Sequence, residues 1–106
     1  MAVDSYSEVQ LKAALKAVGV RRGDLIYMPS AFFALGRMKG VSINDIPERI
    51  VGTVKKVLGP EGTLTVPASF DDYARFANEY DTKRSPVDAG QGAISQYVAN
   101  LPDAFR

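Results

Sequence analysis

Two short strand-like runs, the continuously apolar Leu25-Ile26-Tyr27-Met28 and the alternating Thr63-Leu64-Thr65-Val66, each stop at a proline, and one amphipathic stretch lies between them. That arrangement constrains the fold more than any other feature of the chain. A short continuous apolar run bounded by turn residues reads as a buried strand of the parallel type. Proline has no N–H to give to a ladder, so Pro29 and Pro67 mark the strand ends. Between the runs, Asp45 is a credible N-cap, Pro47 sits in the first turn and Glu48 takes the capping-box position. Ile46, Ile50, Val54, Val57 and Leu58 share one helix face, and Gly59-Pro60 ends it. Gly52 costs the helix about 1 kcal/mol relative to alanine, which points to a close packing contact there. A strand, a crossover helix and a second strand imply a parallel pair with a right-handed connection.

Upstream, Leu11, Leu15 and Val18, with Ala14 beside them, predict a helix over Ser7 to Val18. Ser5 with Glu8, or Ser7 with Gln10, supplies its capping box, and Gly19 its stop. Val20 to Asp24 is a turn. Pro29 to Val41 reads as a loop, with one helical turn expected around Ala31 to Leu35. Ala68 to Gly92 is a long irregular stretch. Its aromatics, Phe70, Tyr73, Phe76 and Tyr80, argue against simple disorder. A third helix is expected from Gly92 to Asn100, with Ile94, Tyr97, Val98 and Leu101 apolar and Pro102 as its end.

A chain of 106 residues holds one small domain at most. Thirteen basic and twelve acidic residues leave a net charge of +1, which gives no electrostatic case for nucleic acid or an anionic membrane as partner. The pairs Lys55-Lys56, Arg21-Arg22 and Lys83-Arg84 read as solvated surface. There is no cysteine, so a disulfide scaffold, a thiolate zinc site and a thiol nucleophile are excluded. There is no histidine either, so a Ser-His-Asp or Cys-His arrangement cannot be built from this chain alone. Asp71-Asp72 and Asp81 lack the spacing of a metal site. No basic n-region opens the chain, and no apolar run approaches the ~20 residues that span a bilayer. A cytoplasmic protein is expected.

Two parallel strands make a poor sheet, because their edges stay open and both faces call for helices. The expectation is therefore that residues 1–106 form a single incomplete α/β domain. It would be the N-terminal portion of a three-layer α/β/α domain, in the order α-β-α-β-long loop-α. The competing reading is a small α+β domain, complete as it stands.

In open α/β sheets ligands bind beyond the carboxyl ends of the strands. Ser30 follows the first strand and Ser69 the second, so both fall on one edge of the sheet. Backbone amides after Pro29 would suit a phosphate or pyrophosphate there. Equally, both serines would serve simply to cap or turn the backbone. Gly90-Gln91-Gly92 opens the third helix and offers amides to an anion, but it lacks the lysine and spacing of a P-loop. A plain loop-to-helix junction explains it as well.

In their order along the chain these segments resemble the aminoglycoside 3-N-acetyltransferase family. An L-x-x-x-L helix followed by "LGV-x-x-GD" is matched by Leu11 to Leu15 and then Val18 to Asp24. The family's "H-S-S-L-x-x-L-G" loop is matched by Pro29-Ser30-Ala31-Phe32-Phe33-Ala34-Leu35-Gly36. Its "LG-x-x-GTL-x-x-P" segment, the most specific of the set, is matched by Leu58 to Pro67. A later "F-D-x-x-x-S-P-V-x-x-G-x-x-S-E" region is echoed by Tyr80-Asp81 and Ser85-Pro86-Val87, with Gly92 to Gln96 following. Pro29 stands where the family has histidine, Ala31 where it has a second serine, and Gln96 where glutamate is usual. The resemblance implies acetyl transfer from acetyl-CoA to an amine of an aminoglycoside or other amino sugar. It implies Ser30, Ala31, Phe32, Ser69, Gly92 and Ser95 as cofactor contacts. It also implies that the catalytic histidine, in an "H-P-x-x-S" segment, lies beyond Arg106, so no catalytic residue is assigned within the chain. The alternative is a non-catalytic α/β module that binds a partner or forms a homo-oligomer through its open sheet edge.

Overall fold

The crossover helix organises the molecule. The computed structural model describes residues 5–29, 36–68, 85, 87 and 91–105. In chain order the elements are β1 (Ser5–Tyr6), α1 (Glu8–Ala17), β2 (Leu25–Tyr27), β3 (Arg37–Met38), a 3-10 turn (Ile43–Asp45), α2 (Ile46–Leu58), β4 (Thr63–Thr65) and α3 (Ala93–Ala99). Helix α2 buries Ile46, Pro47, Ile50, Val51, Thr53, Val54, Val57 and Leu58. The face read from the sequence is thus the buried face, widened by Val51 and Thr53. Buried Thr53 satisfies its hydroxyl by donating to the Arg49 carbonyl at 2.8 Å. Helices α1 and α3 and strand β4 all pack on α2. Met38 and Ile94 complete the core cluster around it.

β2 and β4 pair in parallel, Leu25 opposite Thr63, Ile26 opposite Leu64 and Tyr27 opposite Thr65. The α/β class and the parallel crossover hold. Burial on both faces does not. Leu25 and Tyr27 are 71% and 63% exposed, whereas Ile26, Met28, Leu64 and Val66 pack against the core. The reason is the pleat: side chains alternate across a strand, and among the described residues helices cover one face only.

A second parallel pair, β1 with β3, was not foreseen. It sets Ser5 opposite Arg37 and Tyr6 opposite Met38. Part of the segment expected to be loop from Pro29 to Val41 is therefore strand. The phenolic oxygen of Tyr6 is enclosed without a hydrogen-bond partner among the described residues, and burial pushes its pKa above the ordinary tyrosine value. The helical turn expected around Ala31 to Leu35 lies outside the described residues.

Helix α1 starts on the Ser7 capping box. The Ser7 hydroxyl accepts from the Gln10 N–H at 3.1 Å, and the Gln10 side-chain carbonyl accepts from the Ser7 N–H at 2.9 Å. Val18, assigned to the apolar face, is 79% exposed, because the helix ends at Ala17 and the chain turns away. Asp45 occupies the N-cap position of α2 but makes no capping bond. Its backbone is already helical (φ −98°, ψ −7°), since the 3-10 turn runs straight into α2, and a side-chain cap needs an extended residue there.

Gly52 corrects a further expectation. A Cβ built there meets nothing within 4 Å, so no close contact requires glycine. Gly52→Ala is expected to raise stability by about 1 kcal/mol, read as a higher urea midpoint at unchanged slope. A lower midpoint would mean that something needs that gap.

Candidate functional site

The two strand ends lie side by side. The Met28 N–H donates to the Thr65 carbonyl at 2.8 Å, extending the ladder one residue past β2. The Thr65 hydroxyl donates to the Ile26 carbonyl at 2.8 Å. Pro29 and Pro67 therefore leave the sheet together, at its carboxyl edge, as the strand reading required.

The opposite edge is a tight corner made from two of the sequence motifs. Asp24 closes its own turn by accepting from the Arg21 N–H at 2.8 Å. The Gly23 N–H then donates to the Leu58 carbonyl at 2.8 Å, and the Thr63 N–H to the Asp24 carbonyl at 2.9 Å. Gly59 ends α2 with φ +70°, a left-handed value that glycine adopts without strain. Gly62 is demanded by space instead: a Cβ there would lie 2.5 Å from the Leu58 Cβ and 2.7 Å from the Leu58 carbonyl oxygen. This corner fixes the register of the pair and so where the strands end.

A groove of about 850 Å³ runs between the second half of α2, β4 and the segment from Val98 to Phe105. That is large enough for a sizeable organic ligand or a stretch of chain. Its wall is apolar at Val51, Leu64, Val66, Val98 and Leu101, with Arg22, Lys55 and Lys56 at the margin and Asp103 opposite. Ala68, just past the β4 end, also borders it. Lys55-Lys56 and Arg22 gave no signal in the sequence beyond solvated charge. The signal that was present is Gly52, whose missing side chain leaves open space on the groove side of α2.

Of the residues expected to meet a cofactor, Ser30, Ala31, Phe32 and Ser69 lie outside the described residues. Gly92 is the N-cap of α3, with φ +93°. Ser95 is 2% exposed and sits next to Ile94, at 1%, on the buried side of that helix. Neither borders the groove. Among the described residues there is no group of three potential metal ligands, and no helix long and apolar enough to cross a membrane.

Gln96 ties α3 to the Ser85-to-Val87 region. Its side-chain N–H donates to the carbonyl of buried Val87 at 2.5 Å. A carboxylate cannot donate that bond. Gln96→Glu is expected to cost about 1–3 kcal/mol at neutral pH, with two oxygens facing each other. Repulsion and burial would raise the introduced carboxyl's folded-state pKa above the unfolded value of about 4.3. The deficit is then full above the raised value and shrinks as pH falls through it, because the protonated acid donates again. Urea midpoints of both proteins at pH 7 and near pH 4 check this; a deficit equal at both would contradict it.

No protein-family model matches the sequence, and no curated protein matches it significantly. Solved structures do match. A mutant of aminoglycoside acetyltransferase AAC(3)-IVa in complex with a gentamicin superposes with a TM-score of 0.75 and 25% identity, covering 97% of this chain and 37% of that one. AAC-IIIb in binary complex with CoASH gives 0.71 and 21%, covering 96% and 42%. The YokD protein from Bacillus subtilis gives 0.71 and 18%, covering 92% and 44%. The chain spans about two-fifths of the length of the structures it matches. Its fold is that of the N-terminal part of an aminoglycoside 3-N-acetyltransferase.

Proposed function

We propose that this chain is the cofactor-side scaffold of an acetyl-CoA-dependent N-acetyltransferase acting, in the cytoplasm, on an amine of an aminoglycoside or other amino sugar. The observation that carries the proposal is the superposition on an enzyme bound to gentamicin over 97% of this chain. A second solved structure matched at the same level holds CoASH. The adjacent strand ends supply the physical rationale, since amides and small residues at a sheet's carboxyl edge suit a pyrophosphate. Ser30, Ala31, Phe32 and Ser69 are the proposed contacts from those ends. Gly92 and Ser95 are the proposed contacts from the start of α3, and with Ser95 enclosed the accessible share of that pair falls on Gly92. Acetyl transfer needs a base to take the proton of the attacking amine. The resemblance implies a histidine as that base, and the chain has none, so we place the base in the part of the enzyme it does not span.

The test is titration of the isotope-labelled chain with CoA, followed by amide NMR. Saturable shifts at residues 30–32, 68–69 and 92–95 are expected, with no acetylation of gentamicin by the chain alone. Unmoved signals at roughly 10 mM CoA, where even a site of about 1 mM affinity is filled, would overturn the reading.

A further inference from the structure

In a parallel ladder, alternate residues of a strand bond to the same neighbour. The Thr63 N–H and the Thr65 carbonyl bond to β2, which turns the backbone of Leu64 and Val66 to the other side of β4. Among the described residues, the N–H and C=O groups of Leu64 and the N–H of Val66 have no hydrogen-bond partner, although both residues are half-buried. Unpaired main-chain groups along a strand edge are a template for pairing with another segment of chain. The same two residues border the groove, whose wall is apolar. No proline or charged residue blunts the edge between Thr63 and Val66. Three cations, Arg22, Lys55 and Lys56, stand at the margin against one acid, Asp103.

We infer that the free edge of β4 is a docking site for an added strand: an extended polypeptide segment with alternating apolar residues and acidic side chains at the groove margin. Its source is the polypeptide that completes the acetyltransferase fold, so the assignment rests on the function proposed above. Main-chain bonds to Leu64 and Val66 would hold the strand. Val51, Val98 and Leu101 would take its apolar side chains, and Lys55, Lys56 and Arg22 would select negative charge. A second copy of this chain fits less well, because a twofold contact would bring the same cations together.

The probes are two capped seven-residue peptides, one alternating valine with glutamate and one alternating valine with lysine. The glutamate peptide is expected to bind at least about tenfold tighter at low salt, a preference that high salt screens. It should slow hydrogen exchange at the Leu64 and Val66 amides. Val66→Pro, which removes a donor β2 does not use, should weaken binding by about fivefold. The double variant Lys55→Glu with Lys56→Glu, both exposed positions, should reverse the preference, and circular dichroism checks that each variant is folded. Equal binding of the two peptides, or no protection at Leu64 and Val66, overturns the proposal. So does light scattering that shows the chain pairing with itself through those amides. CoA is absent throughout, so failure here is distinct from failure to bind the cofactor.

Discussion

Gly62→Ala is expected to lower the unfolding free energy by about 1–3 kcal/mol, the range for forcing a methyl group into filled space. The three nearest atoms are the Leu58 Cβ at 2.5 Å, the Leu58 carbonyl oxygen at 2.7 Å and the Asp24 carbonyl oxygen at 3.1 Å. None is the tip of a mobile side chain. Two are main chain, and the third is the root of a residue that is 1% exposed. To make room, the end of α2 must move away from the turn at Asp24. That motion stretches the Gly23-to-Leu58 and Thr63-to-Asp24 hydrogen bonds, which set the register of β2 on β4. Gly52→Ala is the internal control, being the same chemical change with the opposite expected sign. Urea unfolding of the two variants beside the parent is sufficient, and equal midpoints for both would refute the packing account of Gly62.

Ile94→Ala is expected to cost more, about 2–5 kcal/mol. Ile94 is 1% exposed and joins the core cluster of α2 from the seven-residue helix α3. Tyr97 and Val98 pack there too, but only in part. Removing the isoleucine leaves a cavity between two helices, and a domain of this size has on the order of 5–15 kcal/mol to lose. The loss should also reach the groove, since Val98 and Leu101 border it. A chemical denaturation curve gives the magnitude. A loss under about 1 kcal/mol would mean that α3 is held by its surroundings rather than by this side chain.

Much of the scaffold was legible in the residues. The α2 face declared itself because Ile46, Ile50, Val54, Val57 and Leu58 recur at helical spacing and one element buries them all. Leu58 to Pro67 was legible as a motif, and the structure supplies its physics: Gly59 for a left-handed cap, Gly62 for a close approach. Other features left no periodic trace. Two residues in β1 and two in β3 are too few to show an alternation, and their pairing joins segments far apart in the chain. The exposure of Leu25 and Tyr27 was illegible for another reason. An apolar run states that a residue favours burial but not whether a second layer is there to bury it. The groove was missed because Lys55 and Lys56 look like any solvated pair until Leu64 and Val66 are seen beneath them. Of the candidate cofactor residues, Gly92 was legible as the start of a helix, while enclosure of the Ser95 hydroxyl depends on the packing of Ile94 beside it.

Helix α1 differs from α2 in kind. It has a complete capping box yet buries no residue, resting on α2 through the partly covered Leu11 and Leu15. Its ion pair to α2, Glu8 with Arg49 at 3.8 Å, is solvent-exposed and adds little. Local opening follows the apolar contact that must be broken, so α1 can detach at a fraction of the global unfolding free energy while β2, α2 and β4 stay together. Its amides would then report a private equilibrium, and those of α2 the fate of the whole fold. In this protein the helix with the complete capping box is one that buries no residue fully.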